Sequence, residues 1–388
     1  MLQNLPAELS ERILPLNGQQ VQYDRDFILY WMETAARTDD NPALNAAIHA
    51  AHETGKALLV YHPVYCDDPY INMRKKRFGI EGMRDLKQDF DRLGIAYLPQ
   101  LWRGRADAEK AENKLLERCA LVLFELMPTR PWRDRRSKRA EGADQAAWGI
   151  DASCLVPMTL TDKVYDRAYK FRDATKKLRE ERLDRDFARP DYHGEKAQYL
   201  DLELPDFTNA QIASLIARTE PDPGLGPVPH TRGGMNAARA RWTDFRDNRL
   251  KDYAAARNDA AQPQQVSRMS PYLHFGHISA FQLAREARAA GGKGAEKFLD
   301  ELLIWREMSW HYCYHVENHD QYESLPAWAR ATLEAHESDP RPVLYSWETL
   351  ARAKTHSELW NAAQISLIRH GELHNNLRMG WGKEVLNW

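Results

Sequence analysis

Four short apolar runs, at 27–31, 57–61, 95–98 and 120–124, constrain this chain more than any other feature. Each is four or five residues long, and stretches with helical spacing, such as 45–54 and 82–93, lie between them. Strands that alternate with helices bury both sheet faces only when the crossovers are helical, so the pattern predicts an α/β, Rossmann-like domain with a parallel sheet over 1–160. Segment 151–157 reads as its last strand. No GxGxxG follows the first strand, so a dinucleotide fingerprint is absent.

From 161 to 227 the composition turns to charged helix and irregular chain, closing on the breaker-rich run Glu220-Pro221-Asp222-Pro223-Gly224-Leu225-Gly226-Pro227, an interdomain linker. Beyond it, 237–256, 280–290, 296–315, 347–353 and 359–369 carry helical spacing, so an all-α domain is expected over 228–388.

The 388 residues, 43% hydrophobic and 28% charged, are enough for two packed domains. No run approaches the ~18 apolar residues of a membrane span. The first residues lack the basic start and apolar core of a signal peptide, and a cytoplasmic location is expected. Cys66, Cys119, Cys154 and Cys313 form no CxxC pair, so neither a zinc site nor a disulfide framework is indicated. His311-Tyr312-Cys313-Tyr314-His315 places alternate residues on different helix faces, which favours packing over a metal site. A net charge of −2 excludes a uniformly basic nucleic-acid binder but leaves room for a local positive groove. Arg130, Arg133, Arg135, Arg136, Lys138 and Arg139 read as a solvated loop, with a nucleic-acid contact as the alternative.

Three places in the helical half carry chemistry. Ser270 before Pro271 suits a helix start, and with Ser267 it offers hydroxyls and amides to a diphosphate; many such caps bind nothing. Glu301 and Trp305 share a helix face with Met308 and Tyr312, so the carboxylate either lines a cavity or meets Arg306 or another base. His374, Arg378 and Trp381 follow helical spacing, and Trp388 repeats that face about 10 Å along the axis. Such indoles serve as core or as an electron relay.

Ser270-Pro271-Tyr272-Leu273-His274-Phe275-Gly276, Glu301-Leu302-Leu303-Ile304-Trp305-Arg306-Glu307 and His374-Asn375-Asn376-Leu377-Arg378-Met379-Gly380-Trp381 stand in the order found in the flavin domain of DNA photolyases. The chain resembles most closely the class II cyclobutane pyrimidine dimer photolyases. Tyr30-Trp31-Met32-Glu33-Thr34-Ala35-Ala36-Arg37 with Asn41-Pro42-Ala43-Leu44 is similar to their opening motif. The resemblance implies FAD held in a bent form by Tyr253, Ser267, Met269, Ser270, Leu273, Arg306, Asn375 and Arg378, with Arg257 guiding DNA. It implies that Glu301 bonds a flipped-out dimer, that Trp305 packs on it and that Met379 faces the cyclobutane. Trp381, Trp360 and Trp388 would form the relay that photoreduces the flavin.

The activity so implied is light-driven repair of pyrimidine dimers in DNA by electron transfer from reduced FAD. A cryptochrome-like photoreceptor and an inactive photolyase-like protein are the alternatives. A folate or deazaflavin antenna chromophore is implied without residues to name. Family members continue past the position of Trp388. The resemblance therefore implies weaker FAD retention and apolar surface on the last helices, bare in a monomer or covered by a partner.

Overall fold

The computed structural model describes residues 4–66, 72–198, 202, 204–205, 207–217 and 225–388. Most of the breaker run expected to close the linker, 220–224, lies outside them.

A six-stranded sheet has the order β1-β6-β5-β2-β3-β4. Its strands are β1 Ile13–Pro15, β2 Phe27–Trp31, β3 Ala57–Tyr65, β4 Ala96–Trp102, β5 Cys119–Glu125 and β6 Ala146–Ile150. All pairings are parallel except β1 with β6. The parallel α/β expectation holds, with an antiparallel edge strand added. Ile28 and Tyr30 pack on one face of the sheet while Phe27, Leu29 and Trp31 pack on the other. Burial on both faces is why β2 reads as an unbroken apolar run.

Helices α1 Pro42–Thr54, α2 Met73–Leu93, α3 Arg105–Arg118 and α4 Arg130–Glu141 connect the strands. Asn41 caps α1 by accepting from the Ala43 and Leu44 amides, Pro42 occupies its first turn, and left-handed Gly55 ends it. The arginine cluster expected as a solvated loop is α4 itself. Arg136 donates to the Glu125 and Met127 carbonyls, and Arg139 pairs with Glu112 at 2.5 Å and lies over the Trp31 ring. These cations satisfy buried acceptors, which gives the helix an inner face that its charge pattern hides.

The last strand is Ala146–Ile150, not 151–157. The later segment is a loop because the Asp151 carboxylate takes the Ser153, Cys154 and Met158 amides, bending the chain away from the sheet. Fully buried Arg12 closes the loop from behind by donating to the Asp151, Cys154 and Leu155 carbonyls.

The helical half contains α5 Met235–Asn248, α6 Tyr253–Ala256, α7 Ser270–Phe275, α8 Ala280–Ala290 and α9 Gly292–Asp300. A π turn, Glu301–Trp305, runs into α10 Arg306–His315, and α11 Glu358–His370 and α12 Asn375–Asn387 follow. Its core residues Phe245, Tyr253, Tyr272 and Leu302 belong to the same cluster as Ile28 and Tyr30. Gly276 sits at the junction with φ 71°, and a Cβ there would meet the Thr34 carbonyl oxygen at 2.0 Å. Only glycine permits that approach.

Candidate active site

A cavity of about 1500 Å³ opens where α2 faces the helical half. That exceeds the roughly 300–1,000 Å³ usual for small-molecule pockets. Tyr253, Ser267, Met269, Ser270, Leu273, Glu301, Arg306, Asn375 and Arg378, drawn from separate segments, all line it. Arg74, Lys75, Arg77, Arg232 and Arg268 add positive charge to Arg306 and Arg378, against Glu81, Glu301 and Glu372.

Its floor departs from the expected capped helix. Met269 is the N-cap of α7, Ser270 and Pro271 form its first turn, and Ser270 makes no capping bond. The Ser267 hydroxyl instead accepts the Met269 amide at 3.4 Å. Between them Arg268 adopts φ 54°, a left-handed conformation unusual for an arginine. The turn leaves the Ser270 hydroxyl exposed. Strain of this kind clusters at binding sites.

Glu301 meets both of the conditions its position poses. It lines the cavity, and its carboxylate pairs with Arg257 at 3.1 Å and Lys297 at 2.8 Å. Arg306 turns elsewhere, donating to the Ser153 carbonyl at 3.1 Å and lying over Trp310. The π turn that begins at Glu301 inserts extra backbone into the helix, a feature frequent at functional sites. Nothing in Glu-Leu-Leu-Ile-Trp announces it. Trp305 and Met379 stand outside the cavity lining, 47% and 54% exposed, and Arg257 is likewise outside it.

The C-terminal wall comes from α12. His374 caps it through Nδ1, accepting the Asn376 amide, so it precedes the helix rather than starting the aromatic stripe. Arg378 donates to Asn375 Oδ1 at 2.9 Å. Behind this wall Trp360 and Trp381 stack with centroids 5.8 Å apart and planes 10° from parallel, and Trp388 meets Trp360 edge-on at 5.3 Å. Trp360 Nε1 donates to the Trp381 carbonyl at 3.0 Å. The three indoles predicted as a relay are therefore contiguous, and Trp381 follows the cavity-lining Arg378 by one helical turn.

Two anchors were not foreseen. Arg74 of α2 donates to the last carbonyls of α11, Leu367 and Ile368, tying the tryptophan-bearing helix to the α/β half. Glu307, wholly buried, accepts the Leu155 and Val156 amides and so clasps α10 to the loop after β6. Close by, His311 and His315 share the Thr161 hydroxyl as packing partners. Burial raises the Glu307 carboxyl from 4.5 to about 7, outweighing the amides and Arg306 that favour its charged form. A folded-state pKa above the unfolded one contributes stability in full below pH 4.5, and the contribution is lost as pH rises to about 7. Urea unfolding across that window is expected to show wild-type stability falling by on the order of 3 kcal/mol more than that of Glu307→Gln.

An α/β domain with a mainly parallel sheet is thus joined to a helical domain around a large cavity with basic lining, backed by stacked indoles. The family described as DNA photolyase matches residues 28–191. The deoxyribodipyrimidine photo-lyase of Methanothermobacter thermautotrophicus is 32% identical over 388 residues, covering 98% of this chain and 82% of that protein. The chain belongs to the DNA photolyase family, whose members are lyases. Its fold is similar to a bacterial class III photolyase from Agrobacterium tumefaciens, with TM-score 0.68 and 17% identity over 94% of this chain and 73% of that one. An archaeal photolyase from Sulfolobus tokodaii, solved with two FAD molecules, gives TM-score 0.65 and 16% identity over 92% and 74%.

The cavity fits the FAD that this membership implies. Its basic lining suits a diphosphate. Two buried nitrogens at its wall, Arg268 Nε and His374 Nε2, have no protein partner. Orphaned buried donors are rare and call for a ligand. No group of His, Cys, Asp and Glu among the described residues has metal-binding geometry. No helix among them is long and apolar enough to cross a membrane.

Proposed function

We propose that this protein repairs cyclobutane pyrimidine dimers in DNA by light-driven electron transfer, in the manner of the class II photolyases it resembles. The observation that carries this reading is the convergence of Tyr253, Ser267, Met269, Ser270, Leu273, Glu301, Arg306, Asn375 and Arg378 on one cavity with the indole stack behind it. Bound FAD would supply blue-light absorption and single-electron chemistry.

The chain's own residues hold and orient. Tyr253, Met269 and Leu273 give the cofactor an apolar bed, while Ser267, Ser270 and Arg268 offer hydroxyl and guanidinium donors to its diphosphate. Asn375 and Arg378, already bonded to each other, present a fixed donor and acceptor pair from the first turn of α12. A dimer distorts its duplex, so flipping it out costs only a few kcal/mol. Glu301, fixed by Arg257 and Lys297, then faces the base edges, and Arg257 places positive charge close to the strand. Exposed Trp305 offers a flat apolar surface on which a flipped base can stack. Trp381, Trp360 and Trp388 carry single electrons between the cavity and the protein surface. An antenna pigment in the α/β half belongs to the same reading, on the resemblance alone.

The full chain titrated with FAD is expected to quench flavin fluorescence to one equivalent, with Arg378→Ala weakening the affinity on the order of tenfold by loss of a charged hydrogen bond. Unsaturable quenching would contradict the assignment of the cavity.

A further inference from the structure

Beside the cavity, across a partition, lies a second chamber of about 600 Å³. The partition is the ion pair of Arg268 with Glu372 at 2.6 Å, carried by the left-handed turn that also holds Ser267. The far wall belongs to α5 and the residue that follows it, which contribute Arg241, Asp244 and Arg249. His230 and His370 stand at the rim with ring centroids 5.7 Å apart. Three guanidiniums therefore face two carboxylates. Asp244 is taken by Arg249 and Glu372 by Arg268, so Arg241 has no carboxylate partner among the described residues. It is nevertheless held in place, donating to the His230 carbonyl at 3.2 Å and to the Tyr272 hydroxyl, whose own proton goes to the Arg232 carbonyl at 2.8 Å. The Nε of Arg241, like that of Arg268, is buried without a partner.

A guanidinium fixed in a polar chamber, with its charge uncompensated and a donor unspent, calls for an anionic ligand. The class of anion follows from the walls. Arg241 and Arg249 approach from the end of α5, Arg268 from the turn and His370 from the end of α11. A flat carboxylate presents two oxygens in one plane, whereas a phosphate monoester presents three around a tetrahedron and so meets donors that arrive from three sides. The volume lies within the roughly 300–1,000 Å³ usual for small-molecule pockets. The exposed imidazole rings of His230 and His370 offer flat faces to whatever the phosphate carries. We propose that this chamber binds a phosphate monoester of nucleotide size, with Arg241 as the main contact to the phosphate. The proposal goes beyond the flavin reading, because Arg241, His230, Asp244 and Arg249 line the chamber and not the cavity.

The test is calorimetric titration of the full chain with AMP, with adenosine as the comparison and FAD present throughout to occupy the neighbouring cavity. AMP is expected to bind to one equivalent, and adenosine, which lacks the phosphate, is expected not to bind. Arg241→Met should weaken AMP binding on the order of tenfold or more through loss of a charged hydrogen bond. His230→Ala, a change at an exposed rim residue that leaves the core untouched, should weaken it severalfold and carries the test where Arg241→Met fails to fold. AMP affinity unchanged in a folded Arg241→Met, adenosine binding as tightly as AMP, or no binding by the wild type would overturn the proposal. AMP binding that disappears when FAD is added would assign the chamber to the cofactor and overturn it as well. Failure of the flavin reading shows separately, as FAD that does not bind in a titration without AMP.

Discussion

Trp360→Phe is expected to bring light-driven reduction of bound flavin close to background while leaving the protein folded. Trp360 is the middle ring: it stacks on Trp381, meets Trp388 edge-on and is 4% exposed. A phenyl ring is far harder to oxidise than indole, so the substitution breaks the path while an aromatic ring still fills most of the space. An added barrier of only ~3 kcal/mol slows a step on the order of a hundredfold. The structural cost is about 1 kcal/mol for the lost bond to the Trp381 carbonyl and roughly 1–2 kcal/mol more for packing lost around the smaller ring, which leaves the chain folded. Transient absorption of the FAD-loaded chain measures the first effect, and urea unfolding measures the second. Photoreduction at the wild-type rate in a folded variant would remove the stack from the mechanism.

Glu301→Ala is expected to separate repair from photoreduction. The carboxylate is held by Arg257 at 3.1 Å and Lys297 at 2.8 Å and lines the cavity, on a different element from the indoles of α11 and α12. Its removal takes Arg257's carboxylate partner away, while Lys297 keeps Asp300 at 2.9 Å, and it leaves the lesion without a hydrogen-bonding group. A loss of about 1–3 kcal/mol, on the order of 10- to 100-fold in repair rate, follows. Photoreduction should be unaffected. Equal loss of both in a variant that still binds FAD would show that Glu301 supports the pocket rather than the substrate.

The contrast between β2 and the segment after β6 shows what was legible in the sequence. Phe27–Trp31 is buried on both faces, so it forms an apolar run that any reader of periodicity finds. Leu155-Val156 looks equally strand-like, yet the Asp151 carboxylate, buried Arg12 and buried Glu307 turn that segment into a loop, and two of those three lie far away in sequence. The blocks that line the cavity were legible as motifs because each is local. Only the family resemblance, and no pattern of spacing, implied that they meet, because the cavity depends on helices from four separate segments. The Arg74 anchor spans 293 residues to Leu367, a separation at which no local pattern gives a signal. The π turn escaped for the opposite reason. Its five residues carry ordinary helical spacing, and only the hydrogen bonds reveal the inserted backbone.

Arginine in α4 teaches the same point about charge. A run of six cations within ten residues reads as solvated, but Arg136 and Arg139 are inward-facing because unfilled carbonyls and the Glu112 carboxylate wait for them there. Composition reports how much charge a segment carries, and only packing decides where it points.

The most direct test of light-driven repair is blue illumination of the FAD-loaded, reduced chain with an oligonucleotide containing one cyclobutane thymine dimer, with the intact thymines followed by chromatography. The account predicts restored thymines in the light and none in the dark. A dimer that persists under illumination, with reduced FAD bound and the oligonucleotide in complex, would contradict it.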